Sequence, residues 1–182
     1  MKKFSVATLF LSCVRLAGCA KTVTKDEAVK AAGEFKTADV ADKFVGSSKV
    51  TTNLKKWEVS ALGVKTSKNP SKETDEDTDL DPTKYRVSAT ALKAASDDGT
   101  FKINGKAISY SYTLKDEELA SATGADKLYT SFEGEIKYEF SYNSDGLLIK
   151  EHAYRNYEGT KGEDNYIKVE TDVVSSYTWK KK

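Results

Sequence analysis

Between residues 132 and 142 the chain alternates without a break. Phe132, Gly134, Ile136, Tyr138, Phe140 and Tyr142 fall on one parity, and Glu133, Glu135, Lys137, Glu139 and Ser141 on the other. Helical stripes recur every three or four residues, so a strict period of two describes a strand with one buried face and one wet face. Such a strand needs neighbours that alternate in phase with it and a second layer, or its own curl, to cover the aromatic face.

The neighbours are legible on both sides. Asn143-Ser144-Asp145-Gly146 suits a type I turn followed by glycine in the left-handed region, which returns the chain as a partner strand over residues 147–154. A last strand is expected over 166–179, with Ile167, Val169, Thr171 and Val173 on one face. Upstream, Asn104-Gly105 marks a tight type I′ turn between Phe101-Lys102-Ile103 and a strand whose Ile108, Tyr110, Tyr112 and Leu114 share a face. Residues 115–127 have an acidic start and then Leu119, Ala120 and Ala122, which suits a short helical crossover.

The N-terminal part reads differently. Thr24-Lys25-Asp26-Glu27 has the spacing of a capping box, and Ala28, Ala32 and Phe35 follow as an apolar stripe at helical spacing. Val40, Ala41, Phe44 and Val45 either extend this helix towards Gly46 or form a second one after a break near Lys36-Thr37. Residues 50–66 read as one long strand carrying Trp57, Val59 and Ala61, with a bulge near Lys55-Lys56 as the variant. Residues 67–82 hold both prolines and six aspartates and glutamates in close succession from Glu73 to Asp81, so they read as an exposed acidic loop. Tyr85, Val87, Ala89 and Ala91 resume the alternation, and Ser96-Asp97-Asp98-Gly99 forms a turn. The expectation is an α+β fold: a predominantly antiparallel, curved sheet of about six or seven strands, with one or two N-terminal helices packed on it.

Sites of chemistry are scarce. His152 is the only histidine, so any Ser/His/Asp or Cys/His machinery would depend on it alone. It falls on a strand facing an acid-rich neighbour, where a contact to Glu139 or Glu135 is within reach, and a solvated strand position explains it better. Asp75, Asp77, Asp79 and Asp81 repeat at the spacing of calcium ligands, but Leu80 stands where that loop needs glycine and Arg86 where it needs the closing glutamate. A solvated acidic segment is the expectation, with no metal, no cofactor and no catalytic residue assigned. The functional candidates are instead the aromatics. Trp57, Tyr110, Tyr112, Phe132, Tyr138, Phe140 and Tyr142 either pack an ordinary core or line a cavity for a lipid or other apolar ligand.

The first residues carry an address. Lys2 and Lys3 precede a mainly apolar stretch over 4–14, too short to span a bilayer, and Leu16-Ala17-Gly18-Cys19 closes it with small residues and a thiol. This order resembles the leader of bacterial signal peptidase II lipoproteins, with Arg15 as its one departure from the apolar run. The resemblance covers the leader only. It implies removal of residues 1–18, a diacylglyceryl thioether on Cys19, a lipidated tether over 19–24, and one globular domain over 25–182 containing the acidic loop. It also implies a bacterial cell-envelope protein anchored to the membrane through Cys19. Ala20 supplies no aspartate after the cysteine, so in a cell with two membranes the expected address is the outer one.

Loss of the leader would take Lys2, Lys3 and Arg15 from the 29 basic side chains, leaving 26 against 28 acids. That near balance, with no basic excess, argues against nucleic acid as a partner. The expected partners are the membrane, an envelope protein, or a bound lipid. An architectural likeness to half-barrel lipoproteins that carry lipid, a helix over a curved antiparallel sheet, supplies the last of these.

Overall fold

The computed structural model describes residues 20–182, so Cys19 and the leader lie outside the described residues. In chain order the elements are β1 (Lys21–Val23), α1 (Lys25–Gly33), β2 (Phe44–Ala61), β3 (Val64–Lys68), β4 (Ser71–Leu80), α2 (Ala89–Ala94), β5 (Thr100–Asn104), β6 (Ala107–Lys115), α3 (Asp116–Thr123), β7 (Ser131–Tyr142), β8 (Leu148–Thr160) and β9 (Tyr166–Lys181). All pairings are antiparallel, and the sheet runs β1-β5-β6-β7-β8-β9-β2, with β3 and β4 lying end to end along the outer side of β2. Among the described residues no helix is long and apolar enough to cross a membrane.

The capping box forms as its spacing requires. Glu27 N donates to Thr24 Oγ1 at 3.2 Å, and Thr24 N donates back to Glu27 Oε2 at 2.9 Å. Ala28 and Ala32 are buried, and with Leu92, Ala95 and Val87 they cover Phe101, Ile108, Tyr110, Tyr142 and Leu148 on one face of the sheet. A second cluster joins Val40, Phe44 and Leu147 to Trp179, whose ring lies where a Cβ on Gly46 would stand. At the far end of β6 and β7, α3 lies against both strands, and Leu119 and Ile136 are buried there.

The sheet has nine strands among the described residues, not six or seven, and the difference has identifiable sources. The expected acidic loop contains β4, paired with β2 from Leu80 opposite Gly46 to Ser71 opposite Leu54. Pattern reading misses it because this strand buries almost nothing; Leu80 is its only buried residue. What holds it is backbone pairing to β2, with Lys49 to Glu76 at 2.9 Å and Thr51 to Thr74 at 3.3 Å added on top. The long strand over 50–66 is instead β2, starting at Phe44, and a tight hairpin through Leu62 (φ 52) and Gly63 (φ 78) into β3. The bulge expected near Lys55 is present, between Leu54 and Lys56.

Four further expectations change. Part of the tether, Lys21–Val23, pairs with β5. The second helix shrinks to a 3-10 turn at Thr37–Asp39, because Phe44 and Val45 are already in β2. The alternation of Tyr85 to Ala91 is a 3-10 turn at Pro82–Tyr85 followed by α2, capped by Ser88 Oγ accepting from Ala91 N at 3.4 Å. Alanines at spacing two satisfy either period, and the Ser88 cap decides for the helix. In the β5–β6 hairpin, Gly105 (φ 60) is the first of two loop residues, with Asn104 opposite Ala107, which is the type II′ place for glycine.

β4 is an outer edge strand, and Glu73, Asp75 and Asp77 put like charges along it. Two such edges meeting antiparallel would oppose carboxylates, a recognised block to sheet extension. Replacing all three by threonine is expected to leave the circular dichroism spectrum unchanged and to produce larger, concentration-dependent species in sedimentation velocity; a triple variant that sediments as the parent does would remove this role.

Candidate binding faces

Register assigns every strand residue to one of two faces. Tyr110 stands opposite Phe101 and Phe140, Tyr112 opposite Tyr138, and Ile108 opposite Tyr142, so the aromatics of β5, β6 and β7 share one face. Across β8 and β9 that face continues through Ala153, Tyr157, Val169 and Val173 to Leu54 and Trp57 of β2. The other face carries Glu139, His152, Asp172, Lys168 and Lys49. Five of the six lysine–carboxylate ion pairs among the described residues lie on it, together with both carboxylate contacts of His152, and the sixth, Lys25 to Asp97 at 2.7 Å, ties α1 to the turn after α2.

A bulge decides which residues of β8 meet the aromatics. Tyr142 pairs with Leu148, and that register, continued, would put Lys150 opposite Phe140 and His152 opposite Tyr138. The shift between Ser141 and Tyr142 instead seats Glu151 opposite Phe140 and Ala153 opposite Tyr138, and sends His152 to the charged face. There His152 Nε2 lies 2.6 Å from Asp172 Oδ1 and Nδ1 lies 3.5 Å from Glu139 Oε2. Both nitrogens face carboxylates, an arrangement that fixes the ring in place instead of presenting a free nitrogen to a hydroxyl. Beside it Tyr154 lies between two ammonium groups, Lys55 Nζ at 5.4 Å and Lys137 Nζ at 5.8 Å from the ring centroid.

The seven aromatics proposed as a lining share a face but not an environment. Tyr110 and Tyr142 are buried under the α1 and α2 layer; Tyr110 stacks on Phe140 at 4.9 Å and on Phe101 at 6.0 Å. Tyr112, Tyr138 and Phe140 are half-buried, with Tyr112 and Tyr138 rings 5.2 Å apart. Phe132 belongs to another group, between Tyr129 and Tyr157 over Gly159. Trp57 lies three strands beyond β7, with Lys68 Nζ 5.0 Å from its ring. Asp75 and Asp77 project from one side of an extended strand, Asp79 lies at a bulge with φ 59, and Asp81 accepts from Thr83 N at 3.0 Å, so the four aspartates do not converge.

Glu151 is the residue that sequence reading passed over. It is half-buried on the aromatic face and accepts from Tyr177 Oη at 3.5 Å. Its charge adds to a larger effect, burial, which pushes the phenols of Tyr110, Tyr142 and Tyr177 upward and that of Tyr112 up to about 12. Only the bulge exposes this placement, and a bulge has no signature in the alternation of β7.

The sign of the resulting pH dependence follows. Folding favours the neutral phenol, so this contribution is intact below the ordinary phenol value of about 10 and is lost as pH rises from there through 12. Tyrosinate absorbance should therefore rise in two stages, the second coinciding with loss of near-ultraviolet dichroism. A single stage with the dichroism retained would show these phenols to be solvated.

The described residues define an antiparallel sheet domain with one charged, ion-paired face and one aromatic face partly covered by helices. No protein-family model, no curated protein and no solved structure matches the chain.

Proposed function

We propose that this chain is a non-enzymatic lipoprotein of the bacterial cell envelope, anchored through lipid on Cys19, whose sheet domain binds another envelope component. The observation that carries the reading is the ordered leader: two lysines, an apolar run, and Leu16-Ala17-Gly18-Cys19. Two acyl chains at about 0.8 kcal/mol per buried CH₂ make a stable anchor, whereas one is marginal. With β1 so close to Cys19, the domain would sit against the lipid surface at the β1 edge of the sheet.

The test is Cys19→Ala in the full chain. Expected results are loss of incorporation of a labelled fatty acid and transfer of the protein from the detergent phase to the aqueous phase in Triton X-114. Unchanged labelling and partition would refute the anchor.

A second reading, a carrier for a lipid or other apolar molecule behind a curved sheet, draws on one observation, the half-buried Tyr112, Tyr138 and Phe140 on a shared face. Native mass spectrometry of the gently purified protein separates the two: a retained lipid-sized mass supports the carrier, and an unliganded mass supports the binding module.

A further inference from the structure

We propose that the open edge of β6 is a slot that receives an extended peptide segment of a partner protein. β6 is paired with β7 from Ile108 to Lys115, but with β5 only from Ala107 to Ser111, because β5 begins at Thr100. Residues 112–115 are thus hydrogen-bonded on one side and open on the other. Among the described residues no backbone or side-chain hydrogen bond from outside the sheet reaches that edge. In an antiparallel ladder every second residue presents both its N–H and its C=O to a given side, so the four residues offer two donor–acceptor pairs over roughly 14 Å.

The open stretch is also a bounded concavity. A cleft of about 470 Å³ lies along it, with Asp98 at the β5 end, Glu118 of α3 at the other, and between them Thr113, Lys137 and Glu139 of the charged face beside Tyr112 and Tyr138. These ends distinguish it from the free outer edge of β4. β4 is long, continuous and charged, which discourages pairing. Tyr112, Thr113 and Leu114 are uncharged and half-buried, and they are recessed between the turn at 96–99 and α3. Addition of a strand to such an edge draws affinity from the main chain and selectivity from alternate side chains.

The faces of β6 dictate the pattern of the occupant. Residues opposite Tyr112 and Leu114 would join the aromatic face and should be apolar. The residue between them, opposite Thr113, would join the charged face and should be polar. The inference rests on reading the domain as a binding module and is independent of the anchor, so Cys19→Ala protein should bind as the lipidated protein does.

The test uses a short synthetic peptide of alternating valine and threonine, and the same peptide N-methylated at the amides of its pairing edge. Amide hydrogen exchange by NMR is measured on the purified full chain in detergent. In the free protein the outward amides of 112–115 should exchange much faster than those of Ile108 and Tyr110. At a peptide concentration ten times its Kd they should slow roughly tenfold, while the methylated peptide does nothing. Amides of 112–115 that are already protected in the free protein would overturn the slot. So would equal protection by the methylated peptide, or no change at millimolar peptide. None of these outcomes bears on acylation of Cys19.

Discussion

Gly134→Ala should destabilise the domain by about 3–5 kcal/mol, the sum of a strained backbone and an overpacked contact. Gly134 has φ 124, a region that side-chain-bearing residues rarely enter, and it lies within the β7–β8 ladder opposite Tyr157. A Cβ built there would stand 2.3 Å from the carbonyl oxygen of Asn156 and 2.5 Å from Cα of Tyr157. Both are backbone atoms of the neighbouring strand, so no side chain can swing away, and relief requires β8 to separate from β7. The Gly134 N–H meanwhile donates to Asp116 Oδ1 at 3.1 Å, and Asp116 itself has φ 41 at the entry to α3. Movement of Gly134 would therefore loosen the helix covering Ile136 as well. At about 2–4 °C per kcal/mol for a domain of this size, the melting temperature should fall by roughly 10 °C. Gly105→Ala is the control. It also has positive φ, but nothing lies within 4 Å of its Cβ position, so it should cost only about 1 kcal/mol. Equal losses for the two variants would mean that the strand contact contributes nothing.

The two glycines illustrate what the sequence can and cannot convey. Gly105 lies beside Asn104 between two apolar runs, and turn chemistry alone predicts a hairpin there; only the turn type differs. Gly134 looks like one more member of the alternating set, because the approach of Asn156 and Tyr157 depends on a partner twenty-odd residues away. The same division runs through the fold. The Thr24 capping box, the Asn143–Gly146 return and the aromatic face of β7 are local or periodic signals, and each stands where the residues place it. β4 was invisible because apolar periodicity reports burial, and an edge strand exposed on both faces buries almost nothing. Glu151 escapes a strand-by-strand reading because one bulge inverts the parity of everything after it. The β6 slot depends on two strand lengths being unequal, which no single-strand pattern records.

Truncation along the aromatic face should separate the packed part from the open part, and with it the two readings of the domain. Phe101 is 2% exposed, pressed between Tyr110 and the α1 and α2 layer, and replacement by alanine leaves a cavity that buried neighbours fill poorly. The expected cost is about 3–5 kcal/mol in urea denaturation. Tyr138 lies on the same face but is only half-buried, and its ring contacts are Tyr112 at 5.2 Å and Phe140 at 6.1 Å. With less area to lose and solvent able to enter, Tyr138→Ala should cost about 1–2 kcal/mol. A Tyr138→Ala cost equal to that of Phe101→Ala would show the middle of the face to be as tightly packed as its helix-covered end, and would remove the room a carried ligand needs. The expected gradient has the opposite consequence for stability and recognition. The domain is held by its helix-covered end, so the stretch from Tyr112 and Tyr138 to the β6 edge can accept substitutions, or a bound strand, without unfolding the rest.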